Sequence, residues 1–549
     1  MSNRWRFALL TLLLSAVAGS SFADEIDELR RLRDSTVSLV NALVEQGVLT
    51  REKADAIIAQ AQKAGAQPSG AAASPPAAAG TAPTVAATAP AAPPLAPGTV
   101  RVPYIPESVK QDITNEVKQD VAAQAKAERW GEPGAFPEWL RRFDWYGDVR
   151  IRYEADLFPP GNAPVATLQA YGVNIENSTE RDDRLRFRAR FGFNTTFSDS
   201  VTVGVRLASG GVGAGSNPGS ENQTIGSYET HSTVGFDRAF IAYRPLSWLE
   251  ASAGIVGNPF FEPTSLVWAD DVSLGGVVVR FFPQITEDLK FFTTAGAFPI
   301  LQVDPTPINS ASSKWLYAYQ SGIEWRFDDS VALQLAGALY DYRNIEGIPN
   351  PNIYTTQYSD TAASFRQTGN TVFDINGLVN TLNGTQNYLW GLASKFHVAN
   401  ASAALDVRFV GPTHIILTGD WVKNLGFDES EIERRTGYQM NRQVEGWQTR
   451  VTVGYPSMKP KYAWQAYVGY RYVQRDATVD AFTDQDFHLG GTDAQGYFLG
   501  ARYSFEKNTF VNLRWFSARQ IDGVELAGAT LSGLPLAINV MQLDLMSAF

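Results

Sequence analysis

A strict alternation between positions 184 and 194, in which apolar residues are separated by four arginines and then by Gly192 and Asn194, limits the possible folds of this chain more than any other feature. Alternation with a period of two is the pattern of a β-strand whose two faces meet different surroundings. A transmembrane barrel needs one face for lipid and one for a water-filled lumen, whereas a soluble sandwich rarely alternates aromatics with arginines over about ten residues. The pattern therefore favours a membrane-spanning β-barrel. The apolar positions are Leu185, Phe187, Ala189, Phe191 and Phe193.

The same period continues from Phe143 to the carboxyl terminus and divides into about 16 runs, each near the length that crosses a bilayer at a tilt. Tight connections, such as 198–200, alternate with long ones, such as 343–398. This asymmetry predicts an all-β antiparallel barrel with short periplasmic turns and long outer loops. An even number of strands puts both barrel termini on the periplasmic side. The predicted strands lie near 143–155, 182–197, 200–209, 233–244, 248–257, 273–282, 288–298, 314–327, 330–342, 399–410, 414–424, 444–455, 462–474, 495–505, 508–518 and 537–549.

The last thirteen residues are predicted to close the barrel, because lipid cannot satisfy an open strand edge. Every second residue back from Phe549 forms a mostly apolar face, and Asp544 lies on the other face. This pattern resembles the C-terminal signature of bacterial outer-membrane barrels. The resemblance implies that Phe549 is an assembly signal and that the barrel-assembly machinery is a partner. Ser547 departs from the signature, which usually has a bulkier apolar residue at that position.

The amino terminus predicts export. Residues 1–23 have the basic, apolar and small-residue regions of a secretory signal peptide. The sequence contains no cysteine, so no disulfide and no thiolate metal site is expected. No run of about 18 apolar residues follows, so no transmembrane helix is expected. Together with the strand pattern, these features predict the outer membrane of a Gram-negative bacterium.

Three segments separate the signal peptide from the barrel. Residues 24–65 have a helical period and are predicted to form a helical hairpin or small coiled coil, with a loose amphipathic tail as the alternative. Residues 66–99 are rich in alanine and proline and form a spacer. Residues 100–142 contain a periplasmic helix that leads into the barrel at 143–549. Because the first helices cannot bury their apolar stripe alone, a homotrimer with periplasmic helices is predicted.

Several stretches are similar to the putative-porin family of Gram-negative outer-membrane proteins. The match runs from about residue 100 to the carboxyl terminus and implies a porin without naming a solute. At Trp268-Ala-Asp-Asp271 the family more often has Trp-Asp-x-Asp. The matching stretches are Val100–Val109, Trp139–Leu140, Gly147–Arg152, Phe236–Tyr243, Gly257–Phe260, Leu266–Trp268 and Asp420–Asn424.

Passive diffusion of small hydrophilic solutes is the leading function, since a barrel of about 16 strands leaves an aqueous channel. The chain has only four histidines, and it lacks a Gly-x-Ser-x-Gly elbow, a His-Glu-x-x-His motif and a Walker loop. No catalytic residue, cofactor, metal site or nucleic-acid partner is therefore expected. The alternative function is a structural tether, in which the barrel anchors helices that reach peptidoglycan or periplasmic partners.

A basic lumen wall is predicted although the chain has a net charge of −11. By alternation, arginines dominate the inward positions, where as a cluster they set the field that a permeating ion meets. Later strands add further arginines at inward positions. The first eight predicted wall residues are Arg150, Arg152, Arg184, Arg186, Arg188, Arg190, Arg206 and Arg238.

The connection between the fifth and sixth predicted strands is too apolar for water and is predicted to fold into the barrel as a constriction loop. Trp268 would be buried, while Glu262, Asp270 and Asp271 would face the wall between Arg184 and Arg190. The alternative is that this connection is an ordinary turn shaped by its prolines. The acids of 428–433 and 476–486 are predicted to lie in outer loops near lipopolysaccharide, bridged to it by divalent cations or merely solvated.

Overall fold

A computed structural model describes residues 142–549, except for short gaps at 214, 227, 229–230, 353–354, 378–380, 383–384, 387, 522–524, 527–528 and 531–533. The predicted signal peptide, helical hairpin, spacer and nearly all of the segment 100–142 lie outside the described residues.

Sixteen antiparallel strands form one closed barrel, as predicted. Each strand pairs with its neighbours in sequence, and the first also pairs with the last, with Ile151 opposite Phe187 on one side and Leu545 on the other. The strands are β1 Phe143–Leu157, β2 Asp182–Ser198, β3 Val201–Ser209, β4 Val234–Leu246, β5 Leu249–Gly257, β6 Ser273–Phe281, β7 Leu289–Leu301, β8 Lys314–Arg326, β9 Val331–Arg343, β10 Phe396–Val410, β11 Thr413–Asn424, β12 Glu445–Gly454, β13 Trp464–Val473, β14 Ala494–Glu506, β15 Thr509–Gln520 and β16 Ala537–Ala548.

The remaining elements are short and lie in the connections. Two α-helices are described, α1 Val165–Ala170 and α2 Glu429–Thr436. Within the described part of the chain, no helix has the length and hydrophobicity that a membrane span requires. The short strands are Gln223–Thr224, which pairs with β2, and the pairs Val372–Asp374 with Trp390–Leu392, Thr381–Leu382 with Thr385–Gln386, and Glu525–Leu526 with Ala529–Thr530; 3-10 turns lie at Ser359–Thr361, Asp480–Phe482 and Phe487–Leu489.

The two faces of the wall separate as the alternation predicts. On β2, Leu185 and Phe191 point outward and are 52% and 48% exposed, whereas Arg188 points inward and is 5% exposed. On β16, Leu545 points outward and Asp544 is buried inside. The outward face is therefore apolar and suits lipid, while charged side chains line the interior.

The carboxyl terminus is joined to β1 by backbone hydrogen bonds. The amide of Phe549 donates to the carbonyl of Gly147 at 3.0 Å, and the amide of Gly147 donates to the carbonyl of Phe549 at 3.3 Å. A Cβ added to Gly147 would lie 2.6 Å from the Phe549 ring, so this close approach requires glycine. The ring of Phe549 packs near Phe191 on the outer surface.

Short turns and long loops alternate around the barrel, so one end carries the turns and the other the loops. Three long loops matter for the lumen. Loop L3 is 258–272, loop L5 is 344–395 and loop L7 is 474–493. Apolar side chains from all three belong to a cluster inside the barrel with side chains of the strands. The inward fold predicted for L3 is therefore present, and L5 and L7 accompany it.

Candidate functional site in the barrel lumen

Loop L3 lies inside the barrel because its apolar side chains are buried there. Leu266 and Trp268 are each 1% exposed. The Trp268 ring packs edge-on against Tyr340 of β9, with ring centroids 5.2 Å apart, and lies 5.6 Å from Phe482 of L7. Burial of large aromatic side chains is the main stabilising contribution in such a contact. The aromatic packing thus holds L3 against β9 and L7.

Polar contacts fix the backbone of L3 across the lumen. The side-chain amide of Gln320 accepts from the amide of Phe261 at 2.6 Å and donates to the carbonyl of the same residue at 3.0 Å. Further round the barrel, Arg450 of β12 donates to the carbonyl of Pro263 at 3.2 Å, and Arg471 of β13 donates to the carbonyl of Ser265 at 3.1 Å. L3 therefore bridges β8 to β12 and β13 and divides the interior.

The three predicted acids of L3 do not share one location. Asp271 reaches the expected wall and contacts Arg188 at 2.8 Å and Arg190 at 3.4 Å. Glu262 accepts from Asn258 within the loop at 2.7 Å, and Asp270 is exposed in the lumen. The prediction that all three acids face the wall between Arg184 and Arg190 is wrong for Glu262 and Asp270. Because L3 crosses the lumen, these two acids lie toward β12 and β13.

Glu262, which lies in a loop and not in a membrane-crossing strand, is set to lose its charge early. Burial raises the pKa of Glu262 well above its ordinary value, and the nearby carboxylates of Asp270 and Asp420 raise it further. The carboxylate is therefore protonated at a higher pH than an ordinary glutamate. As pH falls, the lumen should lose this negative charge before those of carboxylates with ordinary pKa values.

We expect acidification to move ion preference toward anions at a pH above the range where ordinary carboxylates titrate. Replacing Glu262 with glutamine should remove this early step and leave the ordinary titration at lower pH. Reversal potentials measured across a salt gradient at a series of pH values test this. An identical pH profile for E262Q and the wild-type protein would show that Glu262 does not face the ion path.

The predicted wall arginines all lie on the inner face, but carboxylates neutralise most of them. Arg152 contacts Asp544 at 2.7 Å, and Arg188 contacts Asp148 at 2.8 Å. The lumen wall is therefore an interleaved lattice of opposite charges and is less basic than a count of arginines predicts. The other pairs are Arg184 with Glu154 and Asp156, Arg186 with Glu154, Arg190 with Asp148, Arg206 with Glu221 and Asp237, and Arg238 with Asp237.

Two of these carboxylates, Asp237 and Glu221, reach the lumen although strand alternation does not place them there. Asp237 lies at a β-bulge, where the pairing of β3 with β4 shifts between Arg206 and Leu207. The extra residue turns Asp237 inward beside Arg238, which strict alternation does not allow. Glu221 comes from the loop after β3 and contacts Arg206 at 3.1 Å. A bulge and a returning loop leave no periodic signal in the sequence.

Three of the arginines that line the central cavity of the lumen have no ion pair among the residues that the structure describes. Arg150 donates only to the side-chain oxygen of Asn222, at 2.5 Å. Arg450 and Arg502 lie on either side of Tyr467, with guanidinium carbons 5.9 and 5.6 Å from the ring centroid. Cation–π contact orients both groups without neutralising them. These three arginines provide uncompensated positive charge in the central cavity.

The central cavity has a volume of about 320 Å3 and lies between L3, L7 and the wall. Glu262 and Asp270 line one part of it, and Arg150, Arg450 and Arg502 line another. An outer cavity of about 230 Å3 lies toward the loop end, beside Glu154 and Arg184. A third cavity of about 250 Å3 lies between L3 and strands β6 to β9. The interior thus contains cavities that are large enough for several water molecules and have charged side chains in their walls.

The position of loop L7 contradicts a prediction about the outer surface. Its acids were expected to face lipopolysaccharide, yet Asp476 and Asp480 are buried, at 0% and 1% exposure. Asp484 contacts Arg471 at 3.3 Å, and Asp486 contacts Arg152 at 3.0 Å. The expectation of an outer acidic loop bridged by divalent cations is therefore wrong for L7, because wall arginines and buried polar groups hold these acids inside.

The chain is similar to solved outer-membrane proteins at low sequence identity. The outer membrane channel DcaP of Acinetobacter baumannii is 12% identical, with a TM-score of 0.38 over 74% of this chain and 97% of that chain. OprB of Pseudomonas putida is 12% identical, with a TM-score of 0.42 over 75% and 96%. OmpF of Salmonella typhi, in complex with daunomycin, is 11% identical, with a TM-score of 0.37 over 74% and 97%.

Family membership rests on the sequence. No curated protein matches the chain. A family model matches residues 33–549, which include the whole barrel, and its description is "Putative porin". The match covers more than half of the chain and agrees with the closed sixteen-strand architecture. The chain belongs to the putative porin family.

Proposed function

We propose that this protein is an outer-membrane porin that lets small hydrophilic solutes diffuse passively through a water-filled path and carries out no chemical step. One observation supports this function most strongly. A closed sixteen-strand barrel encloses cavities lined by charged side chains, while its outer face is apolar. Barrels of this size leave an aqueous interior. Membership of the porin family points to the same function.

The inward loops set the kind of solute that this path suits. L3 divides the lumen, and the central cavity of about 320 Å3 is lined mainly by guanidinium and carboxylate groups. Small polar molecules can replace their hydration with these groups, whereas apolar molecules cannot. Separated acids and arginines in the central cavity also produce a transverse field that orients dipolar solutes.

Liposome swelling with a size series of neutral sugars tests the proposal. Purified protein should admit small sugars at rates that fall steeply with sugar size, because L3 and L7 narrow the lumen. Liposomes without protein provide the baseline. Equal rates for protein-containing and protein-free liposomes would contradict passive diffusion.

The family and fold place the barrel in the outer membrane, and we infer that the short turns face the periplasm. The apolar outer wall then contacts lipid and lipopolysaccharide. The barrel begins at Phe143 at the turn end, so residues 24–98 would lie in the periplasm. Protease added to intact cells should cut only the long loops. It should cut the chain before residue 143 only when it has access to the periplasm.

We predict a homotrimer in which the helices of 24–65 strengthen association. Deleting residues 24–98 should leave the barrel and its conductance intact but weaken the oligomer, because these residues contribute apolar contacts outside the barrel. Analytical ultracentrifugation in detergent measures the oligomeric state of both proteins. A monomer for the full-length protein would contradict the prediction.

Phe549 is proposed as a residue that the barrel-assembly machinery reads. Its ring is 65% exposed on the outer face, while its backbone pairs with Gly147. Deleting Phe549 should lower the amount of folded barrel in the outer membrane of cells. The deletion variant should still fold in detergent, since most of the β16 ladder remains. Unchanged yield in cells would exclude this role.

A further inference from the structure

Loop L7 is a second insert in the lumen, and only its tip faces the solute path. Every residue from Arg475 to Thr483 is buried, and so are Phe487 and His488. The three residues Asp484, Gln485 and Asp486 are partly exposed and form the tip. A loop with five aspartates is expected at the surface, so its burial needs specific partners.

A short segment of L5 provides those partners. The side chain of Asn370 donates to the carbonyls of Arg475 and Thr478, at 2.7 and 2.9 Å, and accepts from the amide of Asp480 at 2.8 Å. Gln367 donates to the carbonyl of Thr483 at 2.8 Å. L3 contributes the amide of Ala269, which donates to the carbonyl of Phe482 at 2.8 Å.

These hydrogen bonds satisfy buried backbone groups and hold the body of L7 in one place. The positions after the tip add conformational constraint. His488, Leu489 and Asp493 have φ values of 57, 60 and 54 degrees, which non-glycine residues rarely adopt. Such backbone persists only where its surroundings determine it, so the tip is presented by a fixed scaffold.

The carboxylate of Asp486 is held between two wall arginines. It lies 3.0 Å from Arg152 of β1 and 3.0 Å from Arg514 of β15, and Gln542 of β16 donates to it at 3.0 Å. Burial alone would raise the pKa of Asp486, but the guanidinium groups of Arg152 and Arg514 more than offset this and keep it below its ordinary value. Asp486 is therefore ionised.

The position of the tip divides the path. Gln485 and Asp486 line both the central cavity and the outer cavity. A solute that moves between these cavities passes the Asp486 carboxylate. The tip of L7 therefore lies at the passage between the two cavities. L3 lies on the other side of the central cavity and does not control this passage.

Guanidinium groups next to the tip retain unused donors. Among the described residues, the buried Nε–H groups of Arg150, Arg450 and Arg514 have no hydrogen-bond acceptor. All three side chains line the central cavity. The positive charge of these guanidinium groups attracts an oxyanion that enters the cavity. The central cavity can therefore bind an anion in addition to the carboxylate of Asp486.

We propose that Asp486 is a tethered counter-anion that competes with permeating anions for the arginines of the central cavity and so sets ion selectivity. This inference rests on the proposed porin function and assigns a selectivity role to L7. A permeating oxyanion approaches Arg514 and Arg150 against the negative charge of Asp486. The carboxylate thereby weakens the binding of permeating anions, so that they leave the central cavity faster.

Replacing Asp486 with asparagine tests the proposal in planar bilayers with inorganic phosphate as the probe. Arg152 keeps Asp544, and Arg514 also keeps Asp544 at 3.5 Å, so the variant leaves neither arginine without a carboxylate. D486N should shift the reversal potential toward anions. The phosphate concentration that half-blocks chloride current should fall about threefold or more, the effect of removing one like charge at about 6 Å in water.

Glu429→Gln provides the matched control, because it removes one charge from the exposed first turn of α2, away from the lumen. It should behave as the wild-type protein does. Values for D486N equal to those of E429Q would overturn the proposal. A wild-type protein without conductance would contradict the porin function itself.

A second comparison applies if D486N fails to assemble. Arg514→Gln and the double variant D486N/R514Q differ only in the Asp486 charge, and Arg152 keeps its ion pair with Asp544 in both. Phosphate should half-block the chloride current of the double variant at a lower concentration than that of R514Q, since Arg150 remains in both proteins. No difference between these two variants would overturn the proposal.

Discussion

Replacing Trp268 with alanine is expected to free L3 from the barrel interior and to raise the single-channel conductance. The side chain packs against Phe260, Tyr340 and Phe482, so its removal leaves a large cavity in the apolar cluster. Loss of a buried tryptophan costs about 3–5 kcal/mol, which is comparable to the stability of a whole loop. Planar bilayer recordings measure the conductance, and thermal unfolding measures the loss of stability.

Trp421→Ala is the matched control for this prediction. Trp421 is 41% exposed on the outer face of β11, so its removal changes contact with lipid and leaves L3 in place. Its conductance should equal that of the wild-type protein. A Trp268→Ala variant with wild-type conductance would mean that the polar contacts of L3 with Gln320 and Arg450 hold the loop without the aromatic packing.

Two double variants of the central cavity are expected to change ion selectivity in opposite directions. At a pH where Glu262 is still ionised, replacing Glu262 and Asp270 with their amides should favour anions, and replacing Arg450 and Arg502 with glutamine should favour cations. One charge about 4 Å from an ion contributes about 1 kcal/mol even in water, so each double variant should change the permeability ratio on the order of tenfold. Reversal potentials in a salt gradient measure this ratio.

The choice of arginines follows from their partners. Arg186 and Arg188 form ion pairs with Glu154 and Asp148, so removing either breaks part of a buried ion-pair network. Arg450 and Arg502 have no such pair among the described residues, so their removal changes the field with less disturbance. Arg434→Gln, on the exposed face of α2, controls for the loss of a positive charge elsewhere. Double variants that match this control would place the selective region outside the central cavity.

The barrel could be predicted from the sequence because lipid and water impose opposite demands on alternate residues. The run from Arg184 to Asn194 shows this directly, and the predicted strand positions lie close to the observed ones. The tenth strand is an exception, since it begins at Phe396, three residues before the prediction. Phe396 and Val398 are apolar but point inward, toward the cluster beneath the loops, so strict alternation misses them.

The arrangement of the lumen could be predicted only in part. L3 was recognisable because Trp268 and its apolar neighbours need burial. L7 was not, because its burial depends on Asn370 and Thr371 of L5, about a hundred residues away, which satisfy its polar groups. The bulge that turns Asp237 toward Arg206 likewise depends on strand pairing. Long-range hydrogen bonds and local register therefore decide which charges meet in the lumen.

Single-channel recording of the purified wild-type protein in a planar bilayer tests the central claim most directly. An open, sixteen-strand barrel with charged cavities should produce discrete conductance steps in salt solution, with current proportional to voltage at low voltage. The steps should be smaller than those of the Trp268→Ala variant, since L3 narrows the lumen. Folded barrel that inserts into the bilayer but produces no steps, in either protein, would contradict the account.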